Sequence, residues 1–152
     1  MKQERLAVST PAATLTGAGG RMLLVQRWPH DAGAWEAPGM AAQEAAMGRT
    51  NADSVDLDPR PTYSQVAKTD QDTFGKVFRR NMPYGTVSEH GTIFVGFCAG
   101  QQPLQAMLES TAGFLDGVRD ALAYYTYPVS GAYCFMPANQ QIASFGRAGA
   151  GS

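Results

Sequence analysis

The chain has 152 residues, with 12 Lys and Arg against 13 Asp and Glu and a formal charge of −1. That length allows one domain able to bury most of the surface its unfolded form exposes, and the balanced charge excludes the basic face of a nucleic-acid binder. No apolar run is long enough to cross a bilayer and the polar start Met1-Lys2-Gln3-Glu4-Arg5 lacks the apolar core of a secretory signal, so a cytoplasmic protein without membrane contacts is expected.

Residues 1–20, rich in Ala, Thr and Gly, predict a flexible leader. Arg21 to Trp28 is the first strand, apolar on both faces and stopped by Pro29. Asp31 caps a short helix through Trp35, and a second helix runs from Met40 to Met47 and closes at Gly48. Residues 49–63, with Asp53, Asp56, Asp58, Pro59 and Pro61, predict a long loop. The segment Tyr63 to Ala67 precedes a second strand, from about Phe74 to Arg79.

A turn containing Pro83 and Gly85 leads to a third strand over 92–99. There Ile93, Val95 and Phe97 face one way while Phe94 and Cys98 face the other. After Pro103, Leu104, Met107 and Leu108 repeat at helical spacing, with Gly113 as the end. Asp116 is expected to cap a further helix carrying Val118, Ala121, Leu122 and Tyr125, which Pro128 ends. Val129 to Met136 is the fourth strand, and 138–152 reads as a disordered tail. Cys98 and Cys134 lie in apolar strands, where buried, reduced thiols are expected.

Strand, helix, strand, strand, helix, strand is the ferredoxin-like α+β arrangement: an antiparallel sheet over 21–137 with helices on one face. At least three strands are apolar on both sides. The second face is therefore expected to pair with another sheet as a dimeric α+β barrel, in a homodimer or with a separate subunit.

Leu23-Leu24-Val25-Gln26-Arg27, followed by Gly33-Ala34-Trp35-Glu36-Ala37-Pro38-Gly39, resembles the entry to a Nudix hydrolase, whose next helix presents several glutamates to magnesium. Glu44 is the only acid between Gly39 and Thr50, which excludes that site, and no metal site is predicted from side chains alone.

A second set of motifs falls in order along the chain: Gly20-Arg21-Met22-Leu23-Leu24-Val25-Gln26, Gly48-Arg49-Thr50, Asp53-Ser54-Val55-Asp56-Leu57, Arg79-Arg80-Asn81-Met82-Pro83-Tyr84-Gly85, Gly91-Thr92-Ile93-Phe94 and Val129-Ser130-Gly131-Ala132-Tyr133-Cys134-Phe135. Together they resemble the C-terminal half of a dye-decolourising (DyP-type) peroxidase in its bacterial B-like form, over about residues 20–137. The resemblance implies two ferredoxin-like halves, haem b held mainly by the C-terminal half, hydrogen peroxide, and a dye-like or phenolic reductant. It matches Arg79 to the distal arginine that polarises peroxide, Asn81 to its polar neighbour, and Asp120 to the acid that orients the proximal ligand. A guanidinium suits that distal position because it is always charged and offers several donors.

Two departures from the family stand out. Ser64-Gln65-Val66 replaces Ser-His-Val, so the cofactor-binding position 65 lacks the axial imidazole. The N-terminal half, with its Gly-x-x-Asp-Gly motif, has no counterpart. Gly113-Phe114-Leu115-Asp116-Gly117 fits that motif in letters but is read as a helix cap, and His30 and His90 are read as structural. The resemblance thus implies a shortened haem-dependent peroxidase impaired by Gln65. The alternative is a non-catalytic ferredoxin-like dimer or partner subunit that has lost haem.

Overall fold

In the computed structural model, which describes residues 20–148, four strands form one antiparallel sheet. They are β1 (Arg21–Pro29), β2 (Phe78–Gly85), β3 (His90–Cys98) and β4 (Ser130–Met136), in the order β2-β3-β1-β4. This is the expected ferredoxin-like α+β topology, with β1 lying between β3 and β4. β1 and β3 are the two inner strands and both are apolar on both faces, whereas the edge strand β2, with Arg79, Arg80 and Asn81, is not, so the expectation that at least three strands are two-faced is met only where β4 is counted.

The register sorts the faces. Met22 lies opposite Cys98 and Phe135, and Leu24 opposite Gly96 and Tyr133, so these residues share one side. That side carries the core, in which Met22, Leu24, Val77, Cys98, Leu104 and Met107 are buried. Leu104 and Met107 come from helix α5 (Gln102–Thr111), begun by Pro103 in its first turn. Helix α5 lies so close to β3 that a Cβ on Gly96 would stand 2.8 Å from Leu104 Cδ2. The other side holds Leu23, Val25, Ile93, Val95 and Phe97, and it is open at its edges, where Phe78 is 58 % and Met82 49 % exposed.

The crossover from β1 to β2 contains four helices: α1 (Ala32–Glu36), α2 (Met40–Met47), α3 (Gln65–Lys68) and α4 (Gln71–Phe74). Asp31 caps α1 through Ala34 N–H, and Gly48 ends α2 at φ 83°, as the sequence predicts.

Five expectations are corrected. The strand placed at Phe74 to Arg79 starts at Phe78, because Asp70 caps α4 and Gln71 Oε1 then accepts the Val77 N–H. Pro83 lies inside β2 rather than in a turn, which an edge strand allows because an outward-facing position needs no N–H. No α-helix forms behind Asp116. Gly117 has φ 75°, Asp120 N–H is taken by Thr111 O and Ala121 N–H by Tyr63 O, so a 3-10 helix, Ala121–Tyr124, forms with Asp120 as its cap. Residues 139–148, read as part of a tail, form helix α6 (Asn139–Ala148). Most of the leader, and residues 149–152, lie outside the described residues. Both cysteines are free and Cys98 is buried, but Cys134 is exposed, because it sits on an edge strand and on the open face.

Candidate functional site

Arg79 and Asn81 alternate on β2 and so project to the helix-covered side of the sheet. Arg79 Nη1 reaches Met107 Sδ of α5 at 3.9 Å. The guanidinium is half-buried, and among the described residues no carboxylate lies within ion-pair distance of it. Burial, and then the nearby Arg49, hold its pKa below the usual arginine value. Arg49 itself donates from Nε to Asp56 Oδ1 at 2.6 Å, and Asp56 Oδ2 also receives Arg60 at 2.7 Å. One carboxylate thus serves two arginines, and none serves Arg79.

The neighbouring strands extend this surface in two rows. Arg79 lies opposite Gly96, Gly96 opposite Leu24, and Leu24 opposite Tyr133; this row lies beneath α5. Asn81, Phe94, Gln26 and Gly131 form the next row across the same face. Its two ends, Asn81 and Gly131, are exposed, so α5 does not close that part of the sheet. A cavity of about 670 Å³ also opens beside Arg79, lined by Lys76, Val77, Phe78, Phe97 and Cys98 among others.

Gln65 opens helix α3. Ser64, fully buried, caps that helix by accepting Ala67 N–H, and Gln65 O accepts both Thr69 N–H and its hydroxyl. A Cβ on Gly48 would fall 2.6 Å from Ser64 Oγ, so the left-handed glycine that ends α2 also makes room for the cap of α3. Lys68, 2 % exposed, sends its ammonium to Asp116 at 2.8 and 2.6 Å.

Asp120 is the acid on the other segment. It is 4 % exposed and caps the 3-10 helix through Leu122 N–H at 2.9 Å. Burial pushes its pKa up to about 6, against the Leu122 hydrogen bond and the charges of Lys68 and Arg119. The Ala121 N–H···O Tyr63 bond, 2.8 Å, ties this segment to the one that carries Gln65.

The structure therefore brings the neighbourhoods of Gln65 and Asp120 together, and sets Arg79 beside Asn81. The two pairs are linked through α5, against which α3 packs and whose Met107 meets Arg79. Sequence reasoning missed the Lys68–Asp116 pair and the approach of Arg49 to Arg79. Asp116 is an ion-pair partner and turn former, accepting Val118 N–H at 3.0 Å, and Lys68 holds its pKa below the usual carboxylate value. The signal for that pair was faint: a single lysine in a four-residue helix.

Comparison with known proteins places these features in context. Residues 2–141 match the family model described as Dyp-type peroxidase, C-terminal. The dye-decolorizing peroxidase of Mycobacterium tuberculosis is 35% identical over 129 residues, which are 79% of this chain and 38% of that protein. Among solved structures, a dye-decolorizing protein from V. cholerae is 40% identical with a TM-score of 0.78, over 84% of this chain and 44% of that one. A DypB variant from Rhodococcus jostii, substituted at an arginine and solved in complex with heme, is 28% identical with a TM-score of 0.75, over 83% and 44% of the two chains. The chain thus spans less than half the length of these relatives.

Proposed function

Because the chain belongs to the DyP-type peroxidase family through its C-terminal domain, we propose that it forms the haem-facing half of an enzyme that reduces hydrogen peroxide while oxidising dye-like or phenolic donors, impaired by Gln65. The observation that carries this reading is Arg79. A half-buried guanidinium that no carboxylate among the described residues neutralises, close to a second arginine, has its donors free for an anionic or strongly polar ligand in place of water.

The chain's own residues divide the work. Arg79 binds a peroxide oxygen and stabilises the negative charge that develops on it, with donors that need no reorganisation. Asn81, on the same side of β2, offers a carboxamide to the same molecule. Asp120, next to the Ala121–Tyr63 tie, is the acid available to fix an imidazole at position 65.

The donor set on the iron side does not fit haem. An axial ligand in such proteins is an imidazole, thiolate, thioether or phenolate. Gln65 supplies a neutral carboxamide. Lys68, one turn further on, is bound to Asp116, while His30 and His90 lie against each other at the end of β1. Weak haem retention is the expected result. The same mismatch favours a second reading, in which the chain is a non-catalytic subunit that has kept the fold.

The open sheet face belongs to this proposal, covered by a second copy or by a separate N-terminal-half subunit. Among the described residues no helix is long and apolar enough to cross a membrane, and a cytoplasmic location completes the reading. The test is haem titration of the unaltered chain and of Gln65→His, followed by gel filtration and a peroxide-dependent dye assay. The enzyme reading expects a Soret band that leaks from the unaltered chain and survives in Gln65→His. Equal loss from both would leave the non-catalytic subunit as the function.

A further inference from the structure

The chain holds two histidines, distant in sequence, and the fold sets them edge to face with ring centroids 5.9 Å apart. His30 follows β1 and His90 begins β3. Their backbones are joined where His30 N–H donates to His90 O at 3.0 Å. The His30 position is braced from the other side by its bridge to Thr126, whose hydroxyl donates to Pro29 O at 2.6 Å. His30 Nε2 lies 3.0 Å from the Thr92 hydroxyl, which orients the ring and leaves Nδ1 available. Among the described residues no hydrogen bond engages either ring nitrogen of His90.

Partial burial, and then the proximity of His90, hold the His30 pKa below its ordinary value. That shift favours neutral imidazole at His30, the form that ligates metals. The rings meet edge to face, so ligation requires the His90 ring, whose nitrogens are unengaged, to turn until one nitrogen of each ring faces the same point.

We propose that His30 and His90 form a two-imidazole site for a borderline divalent transition ion, Zn²⁺ or its neighbours, with water completing the coordination. The nearby Glu89 carboxylate is held by Arg27 at 2.6 Å, so the oxygen donors come from solvent. The bound ion would join the end of β1 to the start of β3, which are already paired through Pro29 and Gly91, and so stabilise the folded chain. Mg²⁺, which prefers oxygen ligands, has no such site here.

Thermal unfolding with and without Zn²⁺ tests the proposal on the intact chain, with Mg²⁺ as the control ion. Zn²⁺ is expected to raise the Tm by several degrees. Either His30→Asn or His90→Asn should remove that rise, while Cys134→Ser, at the exposed thiol, should keep it. The rise should also fade in acid, because a protonated imidazole cannot ligate a metal. Imidazole NMR resonances of the unaltered chain give a second readout, in which both rings should shift together on adding Zn²⁺. No Tm rise in the unaltered chain, a rise that persists in either histidine variant, or rings that do not respond would each overturn the site.

Discussion

The Lys68 ammonium is bound to both oxygens of Asp116, but the two partners differ in burial: the lysine side chain is 3 % exposed and the aspartate 49 %. Breaking the pair from opposite ends should therefore have unequal effects. Asp116→Asn strands a charge in the interior, whereas Lys68→Met leaves a carboxylate that water can solvate. Thermal unfolding should show the larger loss of Tm for Asp116→Asn. The opposite order would mean that the ammonium finds another partner, for which Asp120 is the candidate.

Asp120 makes stability fall as pH rises from about 4 to about 6. The folded chain keeps its proton up to about 6, whereas the unfolded chain releases it near the ordinary 3.8. The folded state thus binds more protons inside that window, and the difference is worth about 3 kcal/mol once both states are ionised. Asp120→Asn retains an oxygen to cap Leu122 and should flatten this part of the profile. Urea unfolding at pH 4, 5, 6 and 7 would check it, and parallel profiles for the two chains would refute it.

Arg79→Ala, made together with Gln65→His, separates the two sides of the proposed pocket. Retained haem should be unaffected by the arginine change, while the reaction with peroxide should slow by on the order of 10²- to 10³-fold. Stopped-flow spectra supply both quantities. Loss of haem in the double variant would place Arg79 among the groups that hold the cofactor.

Val95 lies midway across the open face, opposite Val25 on one side and Arg80 on the other. A carboxylate there should prevent face-to-face pairing, so light scattering is expected to show a smaller particle for Val95→Glu than for the unaltered chain. Cys134 reports on the same event, because it is exposed on that face and should react with thiol reagents more slowly in the paired state. A stable monomer at micromolar concentration in the unaltered chain would remove the need for a partner.

The inner strands were legible because they form continuous apolar runs bounded by turn residues, as in Phe94 to Cys98. Helices with a dedicated cap and stop were legible for the same local reason, as at Asp31 and Gly48. The β2 boundary was not. Asp70 and Gln71 form a helical turn by side-chain contacts that leave no periodic pattern, and Pro83 marks a turn in most settings but not on an edge. The segment after Asp116 misled because its N–H groups are claimed by Thr111 and Tyr63, which are near in space and not in sequence. Of the candidate site, Arg79, Asn81, Gln65 and Asp120 were proposed from the family resemblance. Lys68 and the contact between His30 and His90 required the tertiary fold.

The position of Pro83 also makes the sheet lopsided toward newcomers. On the β2 margin an arriving strand meets a missing N–H and two arginines, while the β4 margin, Ser130–Met136, presents neither proline nor charge. Any accretion of chain onto this sheet, whether a peptide, an unfolded neighbour or the seed of a fibre, would therefore proceed from the β4 side. A lysine or proline placed there would be the simplest way to keep concentrated preparations clear.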